Sequence, residues 1–507
     1  MKISSRSAGA ALVCAASVLC GAVASAQGTP AAAAKPACDP GASQSVAKAT
    51  LFLQRAAQEV NAKQDASKDL KQAITALTTP GKDNDAIGRA YYLGQAYILY
   101  LQQPGVAPVG PRASYGIATD PTGTIDLFAA ADSAFSTVEA AQPGCRAELA
   151  QWREQKPWLD MLNAAINAVN AQKYDSAQVY ASRALLLDRR APYAYAVLAS
   201  VASNKKDYAT AASLLEKEIT TASADTLYND AKQNALYDLA NTYSSMYDVA
   251  TGAGKAPAAQ KAVAAWENVI TSGARDARIA HAVATAGLIL NQQKDTVALA
   301  KVYAPVLASP DSFGDQTLLN AGVIATQAHH ADDAAKFFAA VLAHNPNQRD
   351  ALKNLAASYV ATNQPQKMFP LLDRLVALDP NSADNWLLYA YAYSGLLKDA
   401  KGNTKLTKAY TDSLVKYNTK SEKLSPVVNI TEFSFGGDDK TVTLAGTVEN
   451  RGTTSKSYPL QVEFLDKAGN VVGTQTVNVG PLAPKASAPF KATIQGDAIA
   501  YRYKPLT

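Results

Sequence analysis

The chain has 507 residues, of which 48% are hydrophobic, and it contains only four histidines. That length exceeds what one hydrophobic core serves, so two or more structural units are expected, and the composition suits a folded, mostly helical protein. A formal charge of +5 gives no electrostatic case for nucleic acid or anionic lipid as the main partner, and so few histidines leave little material for a histidine-based metal or acid–base site.

Residues 1–26 read as an export address. Lys2 and Arg6 give a positive start, an apolar stretch runs from about Ala8 to Val23, and Ala24-Ser25-Ala26 supplies the small residues of a signal-peptidase cut. The apolar stretch is too short for a membrane span with normal flanks. Val13 before Cys14 and Leu19 before Cys20 do not suit lipid attachment, so a cleaved signal is expected, with Gln27 opening the mature chain in the periplasm or outside the cell. Its removal leaves 46 basic against 43 acidic residues, a charge of +3. Residues 27–45 form an N-terminal arm. Of the cysteines only Cys38 and Cys145 then remain, without a CxxC partner or neighbouring histidine. A structural disulfide tying the arm to the end of an early repeat is expected.

From about residue 46 to 424 the chain repeats itself. Leu318, Leu352 and Trp386 recur at one fixed spacing, as do Gly322, Ala356 and Ala390, and Ala325, Tyr359 and Tyr393. Pro346 and Pro380 keep the same step, each following Asn or Asp, a setting that ends a helix. Within a unit, Leu352, Leu355, Ala356 and Tyr359 make the stripe of a first helix, and Ala334, Phe338 and Val341 that of a second. Upstream, Tyr174 and Ala177 return as Tyr208 and Ala211. Leu93 to Tyr97 reads as a first helix, followed by a second through Ala131, Phe135 and Val138. Leu239 to Tyr243 pairs with Ala262, Trp266 and Val269.

A helix–turn–helix unit with these large and small positions resembles the tetratricopeptide repeat. The resemblance implies a mainly α, solenoid-type stack of about eight helix pairs, with Gln102–Ile125 and Thr251–Gln260 as insertions. A polar helix from about Lys405 to Leu424 would cover the last apolar face.

Near Ser425-Pro426 the period changes to two. Val427–Phe435, Thr441–Asn450, Tyr458–Asp466, Val471–Val479, Ser487–Gln495 and Ile499–Lys504 read as strands separated by Gly, Asn, Asp and Pro turns. Residues 425–507 are therefore expected to form an antiparallel sandwich. Leu444 to Asn450 and Val462 to Val472 resemble the small immunoglobulin-like FxLYD domain of bacterial envelope proteins, although Leu465 directly precedes Asp466 and the namesake tyrosine is absent. The likeness implies a fold and an extracytoplasmic setting, without chemistry.

No catalytic constellation emerges, and no cofactor or metal is expected. His329-His330 with Asp332-Asp333 reads as a polar inter-helix turn with an N-capping Asp. His281 has no carboxylate at helical spacing. Gly252-Ala253-Gly254-Lys255 lacks the spacing of a phosphate loop and reads as a loop.

In tetratricopeptide proteins one face of each first helix lines an inner groove. Register puts Tyr193, Tyr237, Asn241, Asn320, Lys353, Asn354 and Tyr391 there, as contacts for a partner protein or peptide. Lys353, Asn354 and Asn320 partly echo a carboxylate clamp, but Ala357 occupies a slot where that clamp has asparagine. The expected function is a non-enzymatic, exported scaffold for partner proteins. The rival is glycan recognition by the sandwich through exposed aromatics such as Tyr458, Tyr501 or Tyr503.

Overall fold

The computed structural model describes residues 38–79, 84–436 and 440–507. The expected signal at 1–26 and most of the arm lie outside the described residues. Helices come in hairpins: α1 (Gln44–Asn61) with α2 (Ser67–Thr78), and α3 (Ala86–Leu101) with α4 (Leu127–Ala141). After the short α5 (Arg146–Arg153) come α6 (Lys156–Asn170) with α7 (Tyr174–Leu187), and α8 (Tyr193–Asn204) with α9 (Tyr208–Ala222). Next are α10 (Asn229–Val249) and α11 (Lys255–Thr271), then α12 (Asp276–Gln293) with α13 (Thr296–Ala308). The last three hairpins are α14 (Asp315–Gln327) with α15 (Ala331–His344), α16 (Arg349–Ala361) with α17 (Phe369–Leu378), and α18 (Ala383–Asp399) with α19 (Thr404–Glu422). Among the described residues this is one hairpin more than the repeat predicts. The chain divides into two compact units, Met1–Thr242 and Tyr243–Thr507. The change from helix to strand expected at 424/425 falls inside the second.

Small-against-large pairs set the closeness of each hairpin. In α3, a Cβ on Gly94 would stand 2.3 Å from the Phe135 ring of α4, and in α14 a Cβ on Gly322 would stand 2.6 Å from the Phe338 ring of α15. Both phenylalanines are fully buried. The same device in two hairpins gives the small–large periodicity a steric cause, since a glycine at these two positions leaves the room that the facing ring fills.

The expected insertions resolve differently. Between α3 and α4 the chain forms a small hairpin, β1 (Val109–Pro111) paired with β2 (Thr124–Asp126). Tyr115 anchors it by donating to the Ala107 carbonyl at 2.6 Å, and Asp126 caps α4 through the Phe128 amide. The second insertion is shorter than expected: a single 3-10 turn at Gly252–Gly254, after which α11 begins at Lys255. In the first unit, a disulfide joins Cys38 to Cys145 with Cα atoms 4.4 Å apart, closing a loop that holds α1 to α4.

The C-terminal strands are β3 (Val427–Phe435), β4 (Thr441–Glu449), β5 (Lys456–Leu465), β6 (Val471–Leu482), β7 (Ser487–Gln495) and β8 (Ala500–Tyr503). They form two antiparallel sheets, ordered β3-β4-β7 and β6-β5-β8. Alternation selects the core: Val442, Leu444 and Val448 from one sheet meet Tyr458, Leu460, Val462 and Phe464 from the other. At the far end of the helices, α19 covers α18, with Tyr417 stacked on Tyr389 at 4.6 Å between ring centroids.

In the first unit, Glu218 of α9 is buried with Oε2 unpaired. Burial, aided by the negative charge of Asp238, pushes its pKa from 4.5 up to about 9. Folded protein therefore keeps a proton that the unfolded chain releases above 4.5, so stability falls as pH rises through that window. Glu218→Gln should raise the melting temperature over the parent more at pH 8 than at pH 5; an equal gain at both pH values would contradict the assignment. Gly322→Ala should destabilise the chain by about 1–3 kcal/mol despite the better helix propensity of alanine, because Phe338 cannot retreat. Urea unfolding of Gly322→Ala beside Gly322→Ala/Phe338→Leu checks this, the second change restoring part of the loss.

Candidate functional site

The structure does not gather the seven groove candidates at one place. Tyr193, Tyr237 and Asn241 belong to the first unit, and Asn320, Lys353, Asn354 and Tyr391 to the second. In the first unit the Tyr193 ring meets the Tyr228 ring edge-on at 5.7 Å, and Asn241 donates back to the Tyr237 carbonyl at 3.0 Å. Lys353 reaches Asp384 at 2.8 Å and holds that carboxyl below its ordinary pKa. Tyr391 is exposed over a small cavity of about 80 Å³ lined also by Tyr359, Met368 and Lys398.

Asn320 and Asn354 do converge. They line a half-open cavity of about 270 Å³ in the second unit, between the first helices α14 and α16 and the sandwich. Gln316, Asn347, Gln348, Arg349 and Asp350 join them from the helical side. Phe433 of β3, Ile499, and Ala500 and Tyr501 of β8 form the opposite wall, with the Phe433 and Tyr501 rings 5.1 Å apart. The carboxamides are held in place: Gln316 donates to Asn320 Oδ1 at 3.0 Å, and Asn320 donates to the Ala280 carbonyl at 2.8 Å. Gln348 caps α16 by accepting from the Ala351 amide.

What holds the sandwich against these helices is a buried polar joint. Arg349 Nε donates to Asp379 at 2.7 Å, and its NH1 meets Asp350 at 2.8 Å. Asp379, wholly buried, also accepts from the Tyr503 hydroxyl. Burial works against the Arg349 charge, yet Tyr501, Asp379 and Asp350 together keep its pKa above the ordinary value. Asn381 completes the joint. Its side chain donates to the Pro426 and Leu506 carbonyls and accepts from the Leu506 amide, while its main chain bonds Val428 and Tyr503. One repeat earlier, Asn345 donates to the Ile499 carbonyl at 2.9 Å. The Asn-Pro-Asn and Asp-Pro-Asn helix ends seen in the sequence as stop signals are thus the seats of the sandwich.

Several expectations are corrected. Tyr458, Tyr501 and Tyr503 are not a sugar platform: all three belong to the sandwich core and are buried. The N-cap of α15 is His330 rather than an Asp, and it makes no side-chain cap bond. Its ring instead contacts the Tyr303 hydroxyl, which Asp333 also reaches at 3.3 Å. His281 lies edge-on to Trp266 at 5.3 Å, and burial pushes its pKa down. Among the described residues no group of three or more His, Cys, Asp or Glu could hold a metal, and no helix is long and apolar enough to cross a membrane.

A second cavity, of about 300 Å³, lies in the first unit beside Arg146, Arg153, Arg189 and Arg190. Its central guanidinium, Arg153, is taken up by Asp132, Glu139, Ser136 and the Leu186 and Leu187 carbonyls. That arrangement caps the C-terminus of α7 and cross-links helices.

No family model matches the chain, and no curated protein does. Solved structures that resemble it include a tetratricopeptide repeat protein from Parabacteroides merdae (12% identity, 52% of this chain and 98% of that one, TM-score 0.26). YrrB, described as a tetratricopeptide protein with an unusual peptide-binding site, is 15% identical over 55% of this chain and 99% of its own, with a TM-score of 0.23. The apo form of RapI covers 74% of this chain and 98% of its own at 10% identity and a TM-score of 0.27. At such identities and TM-scores the likeness says nothing of function.

The joint makes a paired prediction. Tyr503→Phe removes a donor from a buried carboxylate and should cost about 1–3 kcal/mol. The Tyr501 hydroxyl is buried without a partner, so Tyr501→Phe should be neutral or stabilising. Urea midpoints of the two full-length variants decide it; equal losses would contradict the network.

Proposed function

We propose that the chain is a non-catalytic interaction scaffold, exported after cleavage behind Ala26, that holds a partner protein or peptide against first-helix faces of its repeats. The observation that carries this reading is the cavity where Gln316 and Asn320 of one first helix and Asn354 of the next meet. Carboxamides at fixed positions, beside exposed apolar side chains such as Val323, provide what a peptide-binding surface needs: paired donors and acceptors with hydrophobic contact between them. Tyr391, exposed on the following first helix, α18, extends the face. The sandwich, read as FxLYD-like, acts as a wall and a clamp in this scheme. Oxidation of Cys38 and Cys145 agrees with life outside the cytoplasm.

The test is affinity capture from envelope extract with the mature chain and with Gln316→Ala/Asn354→Ala/Tyr391→Ala, the two baits matched for helicity and melting temperature. Loss of the same one or few proteins from the altered bait, followed by direct binding of the purified partner, is the expected result. Retention of every partner, or none captured by the parent, would overturn the reading.

A further inference from the structure

We propose that the cavity between α14, α16 and the sandwich takes an internal, uncharged segment of a peptide chain, and that the sandwich supplies half of the site. This rests on the scaffold reading above and narrows it.

The first argument is charge. Among the described residues, Arg349 is the only cation lining the cavity. Its Nε is committed to buried Asp379 and its NH1 to Asp350. A carboxylate, including a peptide's own C-terminus, would meet a guanidinium already neutralised and would lie beside the Asp350 charge. A lysine or arginine on the ligand would enter next to Arg349 itself. Either charge loses its water here without gaining a free counter-charge.

The second argument is hydrogen-bonding capacity. Gln316, Asn320, Asn347, Gln348 and Asn354 line the cavity with carboxamides, groups that both donate and accept. Asn320 is bonded at both its side-chain polar atoms and Gln348 at its oxygen, so Gln316 and Asn354 have more to offer. A peptide group has the same dual character, so a chain passing through can pair both its N–H and its C=O. Among the described residues Asn354 serves the fold through its main chain, in α16 and as acceptor for the Ser358 hydroxyl, and its carboxamide makes no hydrogen bond. Gln316 is tied through its amide nitrogen alone.

The third argument is the opposite wall. Phe433 and Ile499, backed by the buried Ala500 and Tyr501, set an apolar surface against the carboxamides. An uncharged segment can lay a side chain on that wall while its backbone faces the helices. Neither surface alone would do both, so the two domains recognise the ligand jointly.

The experiment uses the full-length mature chain as bait for a phage-displayed library of short random inserts. Glycine-serine spacers flank each insert on both sides, so no insert offers a free terminus. The parent should enrich inserts depleted in Asp, Glu, Lys and Arg. Asn354→Trp, which fills the cavity, should weaken a synthetic copy of the best insert by about tenfold or more. Gln316→Ala, at an exposed position where folding is not at stake, and Phe433→Ala, on the sandwich side, should each weaken it several-fold. Enrichment of charged inserts, no enrichment, or unchanged binding to Asn354→Trp and Gln316→Ala would overturn the proposal. Unchanged binding to Phe433→Ala alone would overturn the sandwich's share. If partner capture is lost with Tyr391→Ala but survives Asn354→Trp, the scaffold reading stands and the cavity does not.

Discussion

The second unit depends on one buried ion pair. Arg349 opens a first helix and Asp379 ends the second helix of the same hairpin, so their bond closes a repeat on itself. Tyr503, from the last strand, donates to the same carboxylate. A buried charge that lost its partners would cost far more than an exposed one, and for that reason the three groups behave as a single element. Around it, Asn381 bonds to both ends of the sandwich, near Pro426 and near Leu506. Leu465 and Ala500 share a core with Leu375 and Leu378. The strands therefore dock on the helix ends through directional bonds backed by apolar burial, and the cavity walls inherit that rigidity.

Much of this architecture is written in local patterns. A helix hairpin recurring at constant length repeats its packing problem, and the Gly322–Phe338 and Gly94–Phe135 contacts show why small and large residues return at the same steps. Strands with one buried face must alternate, so all six C-terminal strands begin and end within a few residues of the positions their alternation marks. The disulfide partners were legible because only two cysteines follow residue 26, where the expected export signal would end.

What stayed hidden depends on partners distant in sequence. Tyr501 and Tyr503 look like surface aromatics until the strand is placed against α17 and Asp379. Pro346 and Pro380 read as stop signals, and nothing local says that the flanking Asn345 and Asn381 bond to segments more than a hundred residues away. The groove register singled out Asn320 and Asn354, which line one cavity. It also singled out Lys353, whose charge is spent on Asp384 one hairpin on. Register identifies the face a side chain leaves from; what it meets there is decided by the next repeat.

The joint and the site share an atom group, and this constrains both. A tetratricopeptide-type groove that is to hold a carboxylate needs a cation with hydrogen bonds to spare. Here the cation in the right place, Arg349, is paired with Asp350 and with Asp379, the carboxylate that also seats Tyr503 of the sandwich. Without those two carboxylates the same guanidinium would have been free to attract anionic ligands into the cavity. The ion pair that seats Tyr503 therefore also sets the polarity of the cavity, whose remaining polar groups on the helical side are carboxamides, groups that discriminate by geometry more than by charge.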